Sequence, residues 1–197
     1  MPDREVTTIE ELIFYQYAKV MAHSAFGSDA KSQSYGFIKQ SFRDLKEGRK
    51  KWSNITREDK QFIQTEKVCL YCGASQELQW EHVVPKSILI FEKCSSCERV
   101  QGIHNQVWAC PKCNHDKHDL GLYTYFQKRL PRDKKFYDRI PPLLEKKYLK
   151  TIYFCHKCAG TLESGDLDGD GLITVLDIDK VLQLPKSELN KPNEGRV

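Results

Sequence analysis

The sequence lacks any apolar run that approaches the length of about 18 residues needed for a membrane-spanning helix. Its first residues, MPDREVTTIEE, also lack the charged-then-apolar layout of a secretory signal peptide. Both absences argue against a membrane protein or a secreted one. We therefore expect a soluble, cytoplasmic protein that makes no membrane contact.

Acidic residues are scarce over most of the chain and concentrated at its end. Residues 1–160 hold 27 Lys/Arg against 19 Asp/Glu, whereas residues 161–197 hold 4 Lys/Arg and 8 Asp/Glu. A basic body suits a polyanionic partner, although an ordinary solvated surface gives the same composition. A length of 197 residues allows one core of ordinary size with a small appendage.

No cysteine stands alone, because all eight form Cys-x-x-Cys pairs: Cys69/Cys72, Cys94/Cys97, Cys110/Cys113 and Cys155/Cys158. In a reducing compartment such pairs are typical halves of tetrahedral zinc sites. A redox dithiol is the alternative, but no pair lies in a thioredoxin-like strand and helix order. Eight thiolates predict two structural zinc sites, and spacing alone leaves their pairing open. Gly73 and Asn114 follow two of the pairs and tolerate the left-handed backbone of a knuckle turn.

Apolar periodicity divides the chain into a helical N-terminal part and a mixed middle part. Three helices are predicted at residues 7–26, 34–52 and 56–67, the first with a capping box of Thr7 and Glu10. ELQWEHVV and NQVWAC are predicted strands, and residues 113–130 are predicted as one helix that begins at a zinc knuckle. The segment between the strands is too long for a simple hairpin turn.

The chemistry-bearing residues stand in a characteristic order between residues 69 and 129. CLYCG is followed by an acid and a histidine in WEHVVPKS, an asparagine in IHNQVWAC, and CPKCN with Lys117 three residues later. This series resembles the HNH endonucleases of the ββα-metal type. The resemblance implies that Cys69/Cys72 bind one zinc ion together with Cys110/Cys113, which leaves Cys94/Cys97 to pair with Cys155/Cys158.

The resemblance also implies roles for individual residues: His82 as general base, Glu81 as a ligand of a catalytic metal, Asn105 as a brace of the base or its loop, and Asn114 as a metal ligand from the helix. His118, four residues after Asn114, would lie on the same helical face as a second ligand.

Two departures from the common family pattern bear on the catalytic metal. Glu81 stands where many members have Asp, and Asn114 stands where many have His. Oxygen ligands favour magnesium or manganese at this site, and Asn114, His115 and His118 remain alternatives as the helix ligand. Adjacent strand residues point to opposite faces, so Glu81 and His82 can converge on one phosphate only if a distortion near Pro85 breaks the alternation.

The acidic end of the chain carries a second metal motif. GDLDGDGLITVLDIDK has the spacing of a calcium loop, with candidate ligands Asp166, Asp168, Asp170, the Leu172 carbonyl and Asp177. The motif resembles one half of a dockerin or an EF-hand, with IDKVLQL as the exiting helix. An acidic turn without an ion is the alternative, and a single half offers only part of an interface for a protein partner.

Together these patterns predict an α+β protein with a helical region at residues 1–66, a zinc-stabilised HNH core at residues 67–160 and a calcium-loop tail at residues 161–197. The predicted function is that of a metal-dependent endonuclease that hydrolyses phosphodiester bonds of DNA, and the family resemblance implies a double-stranded substrate. The alternative is a zinc-ribbon module that binds nucleic acid without cleaving it, for which a basic surface suffices.

Overall fold

A computed structural model describes residues 5–27, 31–51, 64, 66–88 and 97–184, and only the backbone of residues 31–33, 97 and 98. These residues form several helices and one two-stranded sheet, which is compatible with the predicted α+β class. The third predicted helix, residues 56–67, lies almost wholly outside the described residues. Within the described residues, no helix is both long and apolar enough to cross a membrane.

Helix α1 (Ile9–Phe26) forms the centre of the N-terminal part and buries Ile9, Leu12, Ile13 and Tyr17. Its cap lies one residue later than predicted, because the Thr8 side chain accepts the Glu11 backbone N–H and the Glu11 carboxylate accepts the Thr7 N–H. Glu10 instead accepts a hydrogen bond from Tyr153 at 2.7 Å. The predicted pairing of Thr7 with Glu10 is therefore wrong by one residue.

Helix α2 (Lys31–Lys46) packs against α1 and buries Phe42 and Leu45. It begins three residues before the predicted range and ends six residues before its end. Residues 47–50, which belong to the predicted helix, form turns and bends. Gly48 has a φ of 70°, which no residue within a right-handed helix adopts, and this explains the early end.

The sheet is a hairpin of strands β1 (Gln79–His82) and β2 (Gln106–Ala109), both shorter than predicted. The strands are antiparallel, and Trp80 stands opposite Trp108 while His82 stands opposite Gln106. The described part of the connection contains a 3₁₀ turn at Lys86–Ile88, helix α3 (Cys97–Gln101) and a 3₁₀ turn at Ile103–Asn105.

The predicted single helix at residues 113–130 is wrong, because the structure has two helices. Helix α4 (Pro111–Lys117) ends at His118, whose φ of 43° interrupts the helical path, and α5 (Leu122–Arg129) begins after Gly121. The interruption allows α5 to take a new direction and to bury Leu122, Tyr123 and Phe126.

Helix α6 (Pro142–Ala159) and the described part of the tail complete the core. The expected exiting helix is a 3₁₀ helix, Val175–Gln183, which packs against α1, α5 and α6. Its Ile178 and Val181 belong to the same buried cluster as the N-terminal helices. Tail carbonyls at Ser164 and Leu162 also accept the first two backbone N–H groups of α1 at 2.8 and 3.0 Å. The described tail is thus integrated into the body.

Candidate zinc cluster and hydrolytic site

Four cysteines meet where the hairpin joins α4. The sulfur atoms of Cys69, Cys72, Cys110 and Cys113 all lie within 4.8 Å of one another. The Cys72 and Cys110 sulfurs are 3.8 Å apart, and two sulfurs on one tetrahedral zinc ion are separated by about the same distance, since each Zn–S bond is about 2.3 Å. The cluster fits a structural zinc ion, and the predicted meeting of these two pairs is confirmed.

Both halves of the cluster follow from local sequence. Gly73, with a φ of 80°, closes the first knuckle by donating its N–H to the Cys69 carbonyl at 2.7 Å. Cys110 caps α4, and Pro111 occupies the first helical turn, where a missing N–H costs nothing. Asn114 is helical within α4, so the expected left-handed turn at this position is wrong.

The thiols of the cluster differ in acidity. Burial raises the pKa of Cys113 to about 12. At Cys72 burial also acts upwards, but hydrogen bonds from the Ala74 backbone and the neighbouring thiols lower the pKa to about 7. The metal-free cluster therefore does not carry four thiolates at neutral pH, and zinc binding would release protons. Arg129 lies beside the cluster, 3.7 Å from the Cys113 sulfur and 2.9 Å from the Tyr71 carbonyl.

The second predicted zinc site stays a prediction. Cys155 is buried, and Cys158 takes part in a disulfide. Cys94 and the side chain of Cys97 lie outside the described residues.

Glu81 is buried in the interface between the hairpin and α4. Its two carboxylate oxygens accept hydrogen bonds from Lys117 Nζ at 2.8 Å and from the Tyr71 hydroxyl at 2.6 Å. Burial raises the pKa of Glu81 and outweighs the opposing effect of Lys117. The pairing of Lys117 with Glu81 was not predicted from the sequence, in which Lys117 stands out only as part of the motif around CPKCN. The signal was a lysine on the inward face of a short helix, since a buried lysine requires an acidic partner.

His82 lies half-buried at the end of β1. Its Nε2 is 3.1 Å from the Gln106 amide nitrogen, and an amide nitrogen only donates, so this contact fits a neutral ring with Nε2 as acceptor. Burial lowers the pKa of His82, and nearby Lys86 lowers it further. The strand stays regular here, so His82 shares a face with Trp80 while Glu81 points to α4. The distortion expected near Pro85 is not seen within β1.

Asn105 fixes the chain that follows His82. Its side-chain oxygen accepts the Val84 N–H at 2.8 Å, and its amide donates to the Val84 and Val100 carbonyls at 2.7 and 2.8 Å. Its backbone carbonyl accepts the Val83 N–H at 2.8 Å. Asn105 is fully buried, and it holds the segment after β1 against the segment before β2.

Asn114, His115 and His118 line a shallow depression of about 370 Å³ on the outer side of α4, together with Gln79 and Asp119. His118 no longer shares a helical face with Asn114, because it lies beyond the end of α4. Its Nδ1 is 3.1 Å from an Asp119 carboxylate oxygen. Glu81 does not line this depression, so the structure does not bring the three predicted ligands together.

Within the described residues, two groups of at least three His, Cys, Asp or Glu side chains could hold a metal ion. One is the four-cysteine cluster, and the other consists of Asp166, Asp168 and Asp177. Neither contains Glu81 or His118. The residues implied for a catalytic magnesium or manganese ion do not fit one as arranged, because both oxygens of Glu81 are engaged by Lys117 and Tyr71.

The acidic loop brings three of its predicted ligands close together, since carboxylate oxygens of Asp166, Asp168 and Asp177 lie within 4.8 Å of one another. Asp166 accepts the N–H groups of Gly169 and Gly171 at 2.7 and 2.6 Å. Asp170 accepts the Leu172 N–H at 2.8 Å and is not part of the group. The loop fits a metal ion with oxygen ligands.

Comparison with protein-family models, curated proteins and solved structures returns no match.

Proposed function

We propose that the chain is an endonuclease that hydrolyses phosphodiester bonds of DNA, with His82 as the general base. The observation that carries the proposal is a neutral, half-buried histidine at the end of a hairpin strand, where the hairpin is joined to a helix by a four-cysteine cluster. Zinc in the cysteine cluster and calcium in the acidic loop are part of the same proposal, since thiolates suit zinc and carboxylates suit calcium.

The residues around His82 suit proton transfer from water. A neutral imidazole near pH 7 accepts a proton, and the lowered pKa of His82 keeps the ring neutral below the ordinary value of 6.5. Asn105 holds the following segment in place, which limits the movement of the base. Lys86 lies close enough to His82 to affect its pKa and would attract a phosphate.

Cleavage of supercoiled plasmid by the zinc-loaded protein tests this proposal. His82→Ala should lower the rate about 10²- to 10⁴-fold while zinc content and DNA binding stay unchanged. His23→Ala, at the exposed end of α1, is the matched control and should cleave normally. The pH at which the parent rate falls should lie below 6.5, because the lowered pKa of His82 delays protonation of the base as the buffer becomes more acidic. Equal rates for His82→Ala and the parent would remove the basis of the proposal.

Metal dependence requires its own measurement, because Glu81 is paired with Lys117. The assay is run with magnesium, with manganese and with EDTA at matched ionic strength. If Glu81 leaves Lys117 to bind a cation, Glu81→Ala should cleave slowly and recover partly as the cation concentration is raised. The defect of His82→Ala should not respond to the cation.

The buried Glu81–Lys117 pair also favours a second candidate, a zinc-stabilised module that binds nucleic acid without cleaving it. A carboxylate held by a lysine and a tyrosine serves packing and does not depend on catalysis. This candidate predicts salt-sensitive DNA binding by the parent protein with no cleavage under any of the metal conditions.

A further inference from the structure

One face of the hairpin presents a pair of tryptophans next to His82. The rings of Trp80 and Trp108 stack across the two strands with centroids 3.9 Å apart and an interplanar angle of 25°. Trp80 is 45% exposed, which is unusual for so large an apolar side chain. A cross-strand pair contributes to hairpin stability, but that role alone does not require an exposed indole beside a candidate active-site base.

The surroundings of the tryptophan pair are basic. Lys67 Nζ lies 5.4 Å from the Trp108 ring centroid, and Lys86 lies close enough to His82 to lower its pKa. An aromatic surface flanked by lysines suits a ligand that has both a flat π-system and negative charge. Successive nucleotides of a single strand meet this description, because bases stack on aromatic side chains and phosphates meet the cations.

The spacing along β1 connects this surface to the candidate base. Trp80 and His82 are two residues apart on one face, which corresponds to about 7 Å in a strand. A nucleotide has similar dimensions, so a base on Trp80 leaves a neighbouring phosphate within reach of His82. In the interior of a duplex both faces of each base are covered by its neighbours, so a base can stack on a protein side chain only where it is unpaired or stands at an end.

We propose that the Trp80–Trp108 face is a stacking site for an unpaired nucleobase, so that the substrate of this chain carries an unpaired nucleotide next to the cleaved phosphate. The choice of substrate rests on the proposed nuclease function, whereas the binding site itself does not. It replaces the expected preference for a regular duplex with one for single strands, ends or unpaired junctions.

The test measures binding of a labelled 20-nucleotide thymidine strand and of a duplex of equal length by fluorescence anisotropy. Trp80→Leu should weaken binding of the single strand about 5- to 150-fold and leave duplex binding unchanged, since stacking on the ring is lost. Trp80→Phe retains a smaller π-system and should recover part of the affinity. Tyr35→Leu is the matched control, because Tyr35 is 54% exposed with Lys39 over its ring but lies on helix α2 and not on the hairpin.

Thermal unfolding and zinc content of each variant separate lost binding from lost folding. Equal single-strand affinity of Trp80→Leu and the parent would overturn the stacking site, as would an equal loss on strand and duplex or a failure of Trp80→Phe to recover affinity. If the parent binds the strand through Trp80 but cleaves no DNA, the stacking site stands and the nuclease proposal fails. If plasmid cleavage depends on His82 but Trp80→Leu does not change binding of the single strand, the nuclease proposal stands and the stacking site fails.

Discussion

The four-cysteine cluster and the acidic loop are both candidate metal sites, but their ligands are satisfied in different ways. Cys69 and Cys113 are buried with their sulfurs turned towards the other thiols of the cluster. In the acidic loop, Asp166 and Asp177 accept hydrogen bonds from backbone N–H groups of the loop itself. We therefore expect the arrangement of the four cysteines to depend on a bound metal, whereas the acidic loop has backbone hydrogen bonds that hold its shape without one.

We expect zinc removal to lower the stability of the protein more than any other change. Cys113→Ser, or chelation by phenanthroline, should unfold the hairpin and α4, because structural zinc sites supply apparent binding free energies of about 10–16 kcal/mol in small zinc domains. Far-UV circular dichroism and thermal unfolding provide the measurement. Added zinc should restore the chelated parent protein but not Cys113→Ser. An unchanged melting curve after verified loss of zinc would contradict the structural role.

The next largest loss of stability is expected from the buried ion pair beside the cysteine cluster. Lys117→Met leaves Glu81 without its cationic partner and should cost about 3–5 kcal/mol of unfolding free energy. Lys112→Met is the matched control on the same helix, because Lys112 is 82% exposed and its pair with Asp116 is worth about 1 kcal/mol or less. Urea unfolding of zinc-loaded proteins measures both. Similar losses for the two variants would show that the buried pair is unimportant.

A smaller loss of unfolding free energy is expected where the tail docks on the body. Asp179 accepts the Tyr148 hydroxyl at 2.5 Å and the Thr124 N–H at 2.6 Å, and its carboxyl fills the space beside Gly121 that a side chain there would need. Asp179→Ala leaves these donors unsatisfied and should cost about 1–3 kcal/mol.

Asp168→Ala is the matched control for the docking prediction, since the Asp168 carboxylate forms a partly exposed ion pair with Lys180 and accepts only a long hydrogen bond, at 3.4 Å, from the Asp170 N–H. Urea unfolding without calcium should show a loss of about 1 kcal/mol or less for this variant. A larger loss for Asp168→Ala than for Asp179→Ala would mean that the loop, and not the docked 3₁₀ helix, holds the tail in place.

Features set by local sequence were predicted more successfully than features set by packing. The order of the two hairpin strands, predicted from their sequence patterns, is confirmed, and so is the meeting of Cys69/Cys72 with Cys110/Cys113, which only the family resemblance implied. The break at His118 was missed because periodicity continues across it, and only the docking of α5 reveals the change of direction. The pairing of Lys117 with Glu81 was missed for a similar reason, because 36 residues separate the partners.

Substitutions in the acidic loop should have the smallest effect on the unfolding free energy. Asp166→Ala combined with Asp170→Ala removes one carboxylate of the three-residue group and one neighbouring acid, and should abolish calcium binding measured by calorimetry. Without calcium, the lost hydrogen bonds to the loop backbone should cost only about 1 kcal/mol, because the 3₁₀ helix remains docked through Asp179 and Ile178. Plasmid cleavage should stay near the parent rate, since the loop shares no described contact with His82.

Absence of calcium uptake by the parent protein would refute the calcium assignment. Unfolding of the variant in calcium-free buffer in which the parent stays folded would show instead that the hydrogen bonds of the loop are needed for the fold.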